Sequence, residues 1–333
     1  MKIRTTAIIG AGGWGTALAA LWSKRGDAII LWGHNAERTE RIRLARENAD
    51  YLPGVKLPES IHMTSDIGDC AGADLIVFVT PSIALRSVAD GLRALLSNRE
   101  AVLLSCTKGI EHGSGMRMSE ILEEIFPQNT IAVLSGPNLA VEVARDLPTA
   151  TVLGCRVHEC AEELQRHLGS ERFRIYSSDE TIGIELGGAL KNVFAISAGA
   201  SDGFGLGDNS KAALVTRSLA ELLRLGTAMG GNPRTFYGLS GAGDLIATCF
   251  SPHSRNRRVG EQLGRGKTLD QILAGTHMVA EGIPTAKSAR ECARKLNIET
   301  PIIDQIYSVL YEGKGPDQAM QALLGRDQKA ERL

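Results

Sequence analysis

A doubly wound, mostly parallel α/β sheet over residues 1–180, followed by an all-helical domain over residues 181–333, is the fold class this sequence predicts. Three observations predict it. Through the first half, short continuous apolar runs alternate with helical segments, the pattern of buried parallel strands joined by crossover helices. After about residue 180 the apolar spacing is helical alone. The length, 333 residues, suits two domains of about 100–200 residues each. Hydrophobic residues make up 43% of the chain, enough to fill two cores.

Taken in order, residues 5–10 read as a strand and Trp14–Arg25 as a helix that Gly26 ends. A second strand follows over Ala28–Trp32 and a second helix over Ala36–Asn48. Leu75–Thr80 and Ala101–Cys106 are apolar runs that read as buried strands, with a helix over Ile83–Leu96 between them. Ile131–Leu134 and Thr149–Leu153 complete the predicted strands. In the second half Ile182–Ala200 reads as one helix despite Gly187 and Gly188. A glycine-rich loop is expected over 203–210, with Asp208, Asn209 or Ser210 capping a helix over Lys211–Leu225. Thr268-Leu269-Asp270-Gln271 is a capping box. Further helices are expected over Thr285–Leu296 and, with proline at its first position, over Pro301–Tyr311.

Composition excludes several function classes. The 37 Lys+Arg and 38 Asp+Glu leave a net charge of −1, which argues against a general nucleic-acid or membrane-surface binder. The longest uncharged stretch, Ile125–Val141, carries Pro127, Gln128, Asn129, Pro137 and Asn138, whereas a membrane span needs about 20 mostly apolar residues. No signal-peptide layout precedes the first strand. The six cysteines form no C-x-x-C pair and no disulfide framework, so a reducing cytoplasm is the expected location. The seven histidines make no metal-binding pattern, and no metal is expected. Glycine is abundant, 37 residues against about 7% in an average chain, and points to tight turns and close backbone approaches.

The first strand runs into Gly10-Ala11-Gly12-Gly13-Trp14-Gly15. Glycines 10, 12 and 15 fit the G-x-G-x-x-G of a Rossmann dinucleotide site: a tight turn, a close approach to pyrophosphate, and helix-on-strand packing. The following helix N-terminus then turns free N–H groups toward the phosphates. The alternative is an ordinary glycine-rich turn. At the end of the second strand, where a carboxylate usually receives the ribose 2′-hydroxyl of NAD, stand Leu31-Trp32-Gly33-His34-Asn35. His34 and Arg38 suit a 2′-phosphate instead, which favours NADP(H) while leaving NAD(H) open. Arg38 as a solvated helix residue is the competing reading.

Nine ordered blocks then carry a family resemblance: GAGGWGTALA (10–19), LWGHN (31–35), YLPG (51–54), SCTKGIE (105–111), LSGPNLAVEV (134–143), ELGGALKNVFAISAG (185–199), LSGAGDLIATC (239–249), SRNRRVG (254–260) and VAEGIPTA (279–286). The chain resembles the bacterial type of NAD(P)-dependent glycerol-3-phosphate dehydrogenase over nearly its whole length. The resemblance implies interconversion of dihydroxyacetone phosphate and sn-glycerol 3-phosphate, a role in supplying phospholipid synthesis, and a small-molecule substrate as the only ligand besides the cofactor; a homodimer stays open. It also implies site residues. The cofactor would meet the glycine loop with Gly13 and Trp14, then His34, Ala140, Arg255, Val279 and Glu281. Lys108 would lie near both cofactor and substrate. Gly136, Asn138, Lys191, Asp244, Ser254, Arg255 and Asn256 would form the substrate site, with Lys191 as proton acceptor. Two positions depart from the commonest pattern. Gly13 replaces a frequent serine, and Asn138 a frequent serine or threonine.

Alcohol oxidation needs a departing hydride, a departing hydroxyl proton and stabilisation of developing oxygen charge. Lys191 sits in an apolar helical run, with Gly187 and Gly188 on the same face and expected to leave room for a ligand. A nearby Lys108 would lower its affinity for the proton, and Asp244 would oppose that and direct the ammonium. The alternative is a lysine that reaches from a packed helix to solvent. Ser254 reads as a helix N-cap that places the fork of Arg255 for a phosphate, with Arg257 and Arg258 as solvated neighbours. The active site is expected in the cleft between the domains. A dehydrogenase acting on a β-hydroxyacid is the nearest rival, though it does not need the SGAGDL and SRN blocks together. A non-catalytic NADP(H) sensor is the rival from another class, though it does not need Lys191 or Asp244.

Overall fold

The computed structural model describes residues 2–275, 279–327 and 330. Two compact units make up the chain: residues 1–108 with 117–181, and residues 109–116 with 182–333. The helical unit thus takes in a short excursion, 109–116, besides the continuous second half. The Lys295 ammonium donates to the Gly113 carbonyl at 3.0 Å and His112 faces Glu291 at 3.0 Å, which ties the excursion down.

Among the described residues, one eight-stranded sheet forms the first unit: β1 (Thr5–Ile9), β2 (Ala28–Trp32), β3 (Ile61–Thr64), β4 (Leu75–Phe78), β5 (Val102–Ser105), β6 (Ile131–Ser135), β7 (Thr149–Cys155) and β8 (Phe173–Ser178). The strand order is 3-2-1-4-5-6-7-8. Neighbours are parallel except β6 and β7, which run antiparallel. Strands β4 and β5 are buried throughout, as their unbroken apolar runs require. The order reverses between β1 and β4, so the carboxyl ends of these two strands form the switch point where doubly wound sheets bind ligands.

Helices α1 (Gly13–Trp22), α2 (Ala36–Ala45), α3 (Leu85–Arg93), α4 (Met118–Ile125), α5 (Ala140–Ala144) and α6 (His158–Leu168) cover the sheet. Helix α2 stops three residues short of the expected Asn48. Arg46 takes a left-handed φ of 49° and its guanidinium donates to the Ile61 carbonyl at 2.9 Å, which holds the turn. The freed Asn48 is buried, and its amide donates to the Ala11 carbonyl at 3.0 Å and the Thr16 hydroxyl at 2.8 Å. It therefore braces the glycine loop.

The second unit packs α8 (Gly207–Ala228), α9 (Asp244–Phe250), α10 (Arg255–Gly264), α11 (Leu269–Ala274), α12 (Gly282–Lys295), α13 (Pro301–Tyr311) and α14 (Pro316–Leu324) with the 22-residue helix α7 (Ile182–Gly203). Residues 183–199 of α7 are all buried. The expected loop over 203–210 shrinks to three residues, because α7 runs on to Gly203 and α8 begins at Gly207. Gly205 and Gly207 turn the chain with φ of 70° and 80°. Asp208, Asn209 and Ser210 therefore lie inside α8 and do not cap it; the N-cap position is Leu206, with no side-chain cap. Thr268 and Gln271 do form a capping box.

Helices α7 and α10 touch backbone to backbone. A Cβ on Gly260 would stand 1.8 Å from the Ile196 carbonyl oxygen, and one on Gly199 would stand 1.9 Å from that of Arg257. Gly203 and Gly264 are similarly closed, at 2.4 Å from the Glu261 oxygen and 2.5 Å from the Ala200 oxygen. No side chain larger than hydrogen fits at these positions.

Candidate active site

In the first unit the glycine loop follows β1. Gly10 has φ 129°, and a Cβ there would press on the Val79 carbonyl at 2.8 Å, across the switch point. Gly15 stands so close to the loop that a Cβ would lie 1.9 Å from the Gly10 oxygen. Gly12 differs: a Cβ there would meet nothing within 4 Å. Gly12 is also the N-cap of α1 and supplies no side-chain cap, so the first N–H groups of the helix are available to an anion. A serine at Gly13 would bring its Cβ to 2.9 Å from the Tyr51 carbonyl oxygen, which explains glycine at that position. Trp14 is half-buried against the core.

Beyond β2, Asn35 caps α2 by accepting the Arg38 N–H at 2.8 Å, and His34 is exposed. Arg38 is no freely solvated residue. Its guanidinium donates to the Tyr51 hydroxyl at 2.8 Å, lies 5.1 Å from the centre of the Tyr51 ring and 3.5 Å from Asp50. Past β5 and β6, the Lys108 ammonium donates to the Gly136 carbonyl at 3.0 Å, and so does the Asn138 N–H, at 2.8 Å. The Asn138 amide donates to the Thr151 hydroxyl at 2.9 Å, while its own oxygen is buried with no partner. Thr80, Ser105 and Ser135, at the ends of β4, β5 and β6, likewise bury hydroxyls without partners. Buried polar atoms are ordinarily satisfied, so a row of orphans along the carboxyl edge suits a polar ligand. Together with the open face of Gly12, these residues fit a dinucleotide. Ala140 opens the short helix α5 beside them.

In the second unit Lys191 lies midway along α7 and is 6% exposed. Its ammonium donates to Asp244 at 2.7 Å and to the Thr248 hydroxyl at 2.5 Å. Asp244 itself is 2% exposed and opens α9. So the lysine does not snorkel: its charge is met inside the unit. A π-helical turn, Leu239–Gly243, delivers Asp244. The space beside Gly187 is not left for a ligand. A Cβ there would lie 2.6 Å from the Ser240 oxygen, so the glycine seats this turn against α7. Thr248, one helical turn after Asp244, escaped the sequence reading; the four-residue spacing in the DLIAT segment was its signal.

Ser254 caps α10 by accepting the Arg257 N–H at 3.2 Å, and Arg255 is exposed at the first helical position. Asn256 is buried. It donates to the Asn192 amide oxygen at 2.8 Å and accepts the Gly282 N–H at 2.9 Å, which knits α10 to α7 and α12. An amide NH2 has two donors, so one remains beyond this knot. Arg257 corrects the expectation of a solvated turn. It is 16% exposed and paired with Asp202 at 2.7 Å, an aspartate that also holds Lys211 at 2.8 Å. Glu281 stands at the N-cap of α12, and Val279 is exposed nearby in sequence.

The family model for the N-terminus of NAD-dependent glycerol-3-phosphate dehydrogenase matches residues 5–161, and that for the C-terminus matches 180–321. Glycerol-3-phosphate dehydrogenase (NAD(P)+) of Syntrophotalea carbinolica is 47% identical over 328 residues, 97% of this chain and 98% of the relative. Its counterpart from Desulfitobacterium hafniense is 46% identical over 98% of this chain and 92% of its own. The crystal structure of glycerol-3-phosphate dehydrogenase from Coxiella burnetii superposes with a TM-score of 0.94 at 37% identity, covering 97% of this chain and 99% of that one. With a glycine loop at a sheet switch point, a buried lysine–aspartate pair and both family halves matched in order, the chain belongs to the NAD-dependent glycerol-3-phosphate dehydrogenase family.

Proposed function

We propose that this chain performs its family's reaction, interconverting sn-glycerol 3-phosphate and dihydroxyacetone phosphate, with Lys191 as the proton-transfer residue. The observation that carries the assignment is the buried ammonium held at 2.7 Å by Asp244 and 2.5 Å by Thr248. A bound nicotinamide supplies or accepts the hydride. Lys191 gives its proton to the substrate oxygen during reduction and takes it back during oxidation. Asp244 and Thr248 hold the Nζ in place and are positioning residues. The buried setting keeps water from competing for the proton. Lys108, fixed by the Gly136 carbonyl, supplies a second positive charge for substrate oxygen or phosphate. Arg255, at the start of α10, is assigned to the substrate phosphate, with Ser254 and Asn256 beside it.

The cofactor is assigned to the glycine loop, and NADP(H) is the proposed preference. Arg38 is held beyond the end of β2 by Tyr51 and Asp50, no carboxylate ends the strand, and His34 is exposed there. Val279, Glu281 and Ala140 remain proposed cofactor contacts on family grounds. The proposed cellular setting is the cytoplasm, supplying glycerol 3-phosphate for phospholipid synthesis. All six cysteines are free thiols, and no helix among the described residues is long and apolar enough to cross a membrane. Oxidation of NADPH and of NADH at 340 nm with dihydroxyacetone phosphate tests the assignment. Replacing Arg38 by Ala should weaken NADPH by about 10–100-fold and NADH far less, as loss of a charge-assisted contact does. Equal losses for both cofactors would remove Arg38 from phosphate recognition, and no turnover with either would remove the reaction.

A further inference from the structure

Asp202 is the penultimate residue of α7, and one oxygen of its carboxylate receives two cations. The Arg257 Nε donates to Oδ2 at 2.7 Å, and the Lys211 ammonium donates to the same oxygen at 2.8 Å. The aspartate, arginine and lysine side chains are 21%, 16% and 7% exposed, so the cluster is largely withdrawn from water. Such ion clusters are costly to desolvate and are weak evidence for stability alone. What this one holds points to a second role.

The two cations lead to opposite ends of one short link. Lys211, near the start of α8, sets its ammonium 4.6 Å from the centre of the Phe250 ring, and Phe250 is the last residue of α9. Arg257 is the third residue of α10. Residues 251–254 between them join the helix that carries Asp244 and Thr248 to the helix that carries Arg255 and Asn256. The link is itself closed, with the Ser251 N–H donating to the Ala247 carbonyl at 3.0 Å and the Ser254 N–H to the Ser251 carbonyl at 3.2 Å. The backbone of Arg257 is seated too. Its N–H donates to the Ser254 hydroxyl at 3.2 Å, and its carbonyl oxygen would lie 1.9 Å from a Cβ on Gly199, one turn before Asp202. Arg255, two residues earlier, starts from a backbone fixed on both sides.

We propose that Asp202 is a positioning residue for the substrate phosphate: through Lys211 and Arg257, its carboxylate fixes both ends of the α9–α10 link and so the bearing of Arg255. The inference rests on the assignment of Arg255 to that phosphate. Asp202 lies eleven residues beyond Lys191 on the same helix, about 16 Å along its axis, so it acts on binding and leaves proton transfer alone. Asp202→Asn keeps the shape and removes the shared charge. Lys211 and Arg257 then repel each other, and Glu261, 3.5 Å from Arg257, is the carboxylate that remains beside the arginine. The first turn of α10 loses its tether, and Arg255 loses its alignment with it.

Steady-state kinetics with dihydroxyacetone phosphate at saturating NADPH test this in a double-variant cycle of Asp202→Asn and Arg255→Ala. Asp202→Asn should raise KM by about 10–100-fold, the scale on which a displaced binding group acts, with kcat within about 3-fold of wild type. In the Arg255→Ala background the same change should add less than about 2-fold, because the residue it acts through is gone. Asp202→Glu restores the carboxylate and should recover most of the loss. A purely structural role would lower Tm without raising KM, or would raise KM by a factor that multiplies with that of Arg255→Ala; either result overturns the inference while the phosphate assignment stands. An unchanged KM in Arg255→Ala would overturn the phosphate assignment itself, and the role of Asp202 with it. Arg257→Gln removes the α10 arm of the cluster and carries the same cycle if Asp202→Asn does not fold.

Discussion

Breaking the Lys191–Asp244 pair separates its structural role from its chemical one. Both groups are out of water, with 8% of the lysine side chain and 2% of the aspartate exposed. Removing one member of such a pair strands the other charge and costs about 3–5 kcal/mol. Lys191→Met takes the ammonium at 2.7 Å away from the buried Asp244 carboxylate, and Asp244→Asn takes the carboxylate away from the buried ammonium. Each single variant should therefore lose about 3 kcal/mol or more. The double variant Lys191→Met/Asp244→Asn removes both charges, and its loss should fall short of the summed single losses by about 1–3 kcal/mol. Urea unfolding followed by circular dichroism at 222 nm reads the helices of both units, most of which lie in the second. All three tryptophans, Trp14, Trp22 and Trp32, lie in the first unit, so their fluorescence reads that unit separately. Turnover should follow a different pattern. Lys191→Met should lose on the order of 10²–10⁴-fold in kcat, and the double variant should regain stability without regaining turnover. Strictly additive losses of stability would show that the charges do not depend on each other. Turnover within a few-fold of wild type in Lys191→Met would end the proton-transfer assignment.

Gly260→Ala should force α7 and α10 apart by about 1.5 Å, the gap between 1.8 Å and an ordinary contact. After the helix-propensity gain of about 1 kcal/mol, a net loss of roughly 1–2 kcal/mol or more is expected, read as a lowered Tm with a raised KM for dihydroxyacetone phosphate; an unchanged Tm would contradict the close contact. Arg255→Ala should lower kcat/KM for dihydroxyacetone phosphate by roughly 10–150-fold at saturating NADPH, and Arg255→Lys should still impair it because the fork is lost. The penalty should largely vanish with unphosphorylated dihydroxyacetone; equal penalties would move the phosphate site elsewhere. Glu221 on α8 accepts the Ile302 and Ile303 N–H groups, and burial pushes its carboxyl up to about 7. The folded state then holds a proton that the unfolded state releases, so stability falls as pH rises from about 4.5 to about 7, by about 3 kcal/mol at most. The Tm difference between wild type and Glu221→Gln should shift against wild type across that window, and a shift in the other direction would refute the assignment.

Where a property depends on neighbours along the chain, the sequence was mostly a sufficient guide, the uncapped start of α8 being an exception. The strands β4 and β5, the caps at Ser254 and Thr268, and the proline start of α13 all rest on contacts within a few residues. Edge strands were missed because they lack an unbroken apolar run: β3 carries an exposed His62, and β8 alternates buried with exposed positions. Lys191 and Asp244 could each be picked out by their motifs, but their contact spans 53 residues and only the fold closes it. Arg257 was read as solvated for the same reason, since Asp202 lies 55 residues away. Of the partners, the Asp244 of Lys191 was expected from the chemistry of the lysine, whereas Thr248 was not.

Glycine shows why partners matter more than residue type. Gly12 and Gly187 both lie beside proposed site residues, and both were read as making room for a ligand. Beside Gly12 there is open space, and the helix N–H groups next to it are uncapped, so an anion has both room and donors. Beside Gly187 the room is taken by the backbone of Ser240 and Gly241. That contact seats the turn that carries Asp244 to Lys191. An alanine at Gly12 would obstruct only what binds there. An alanine at Gly187 would have to displace the Ser240 carbonyl from 2.6 Å, and with it the carboxylate that holds the Lys191 ammonium. The same residue type thus leaves open space at one position and seats a turn at the other, and the difference lies wholly in what packs against it.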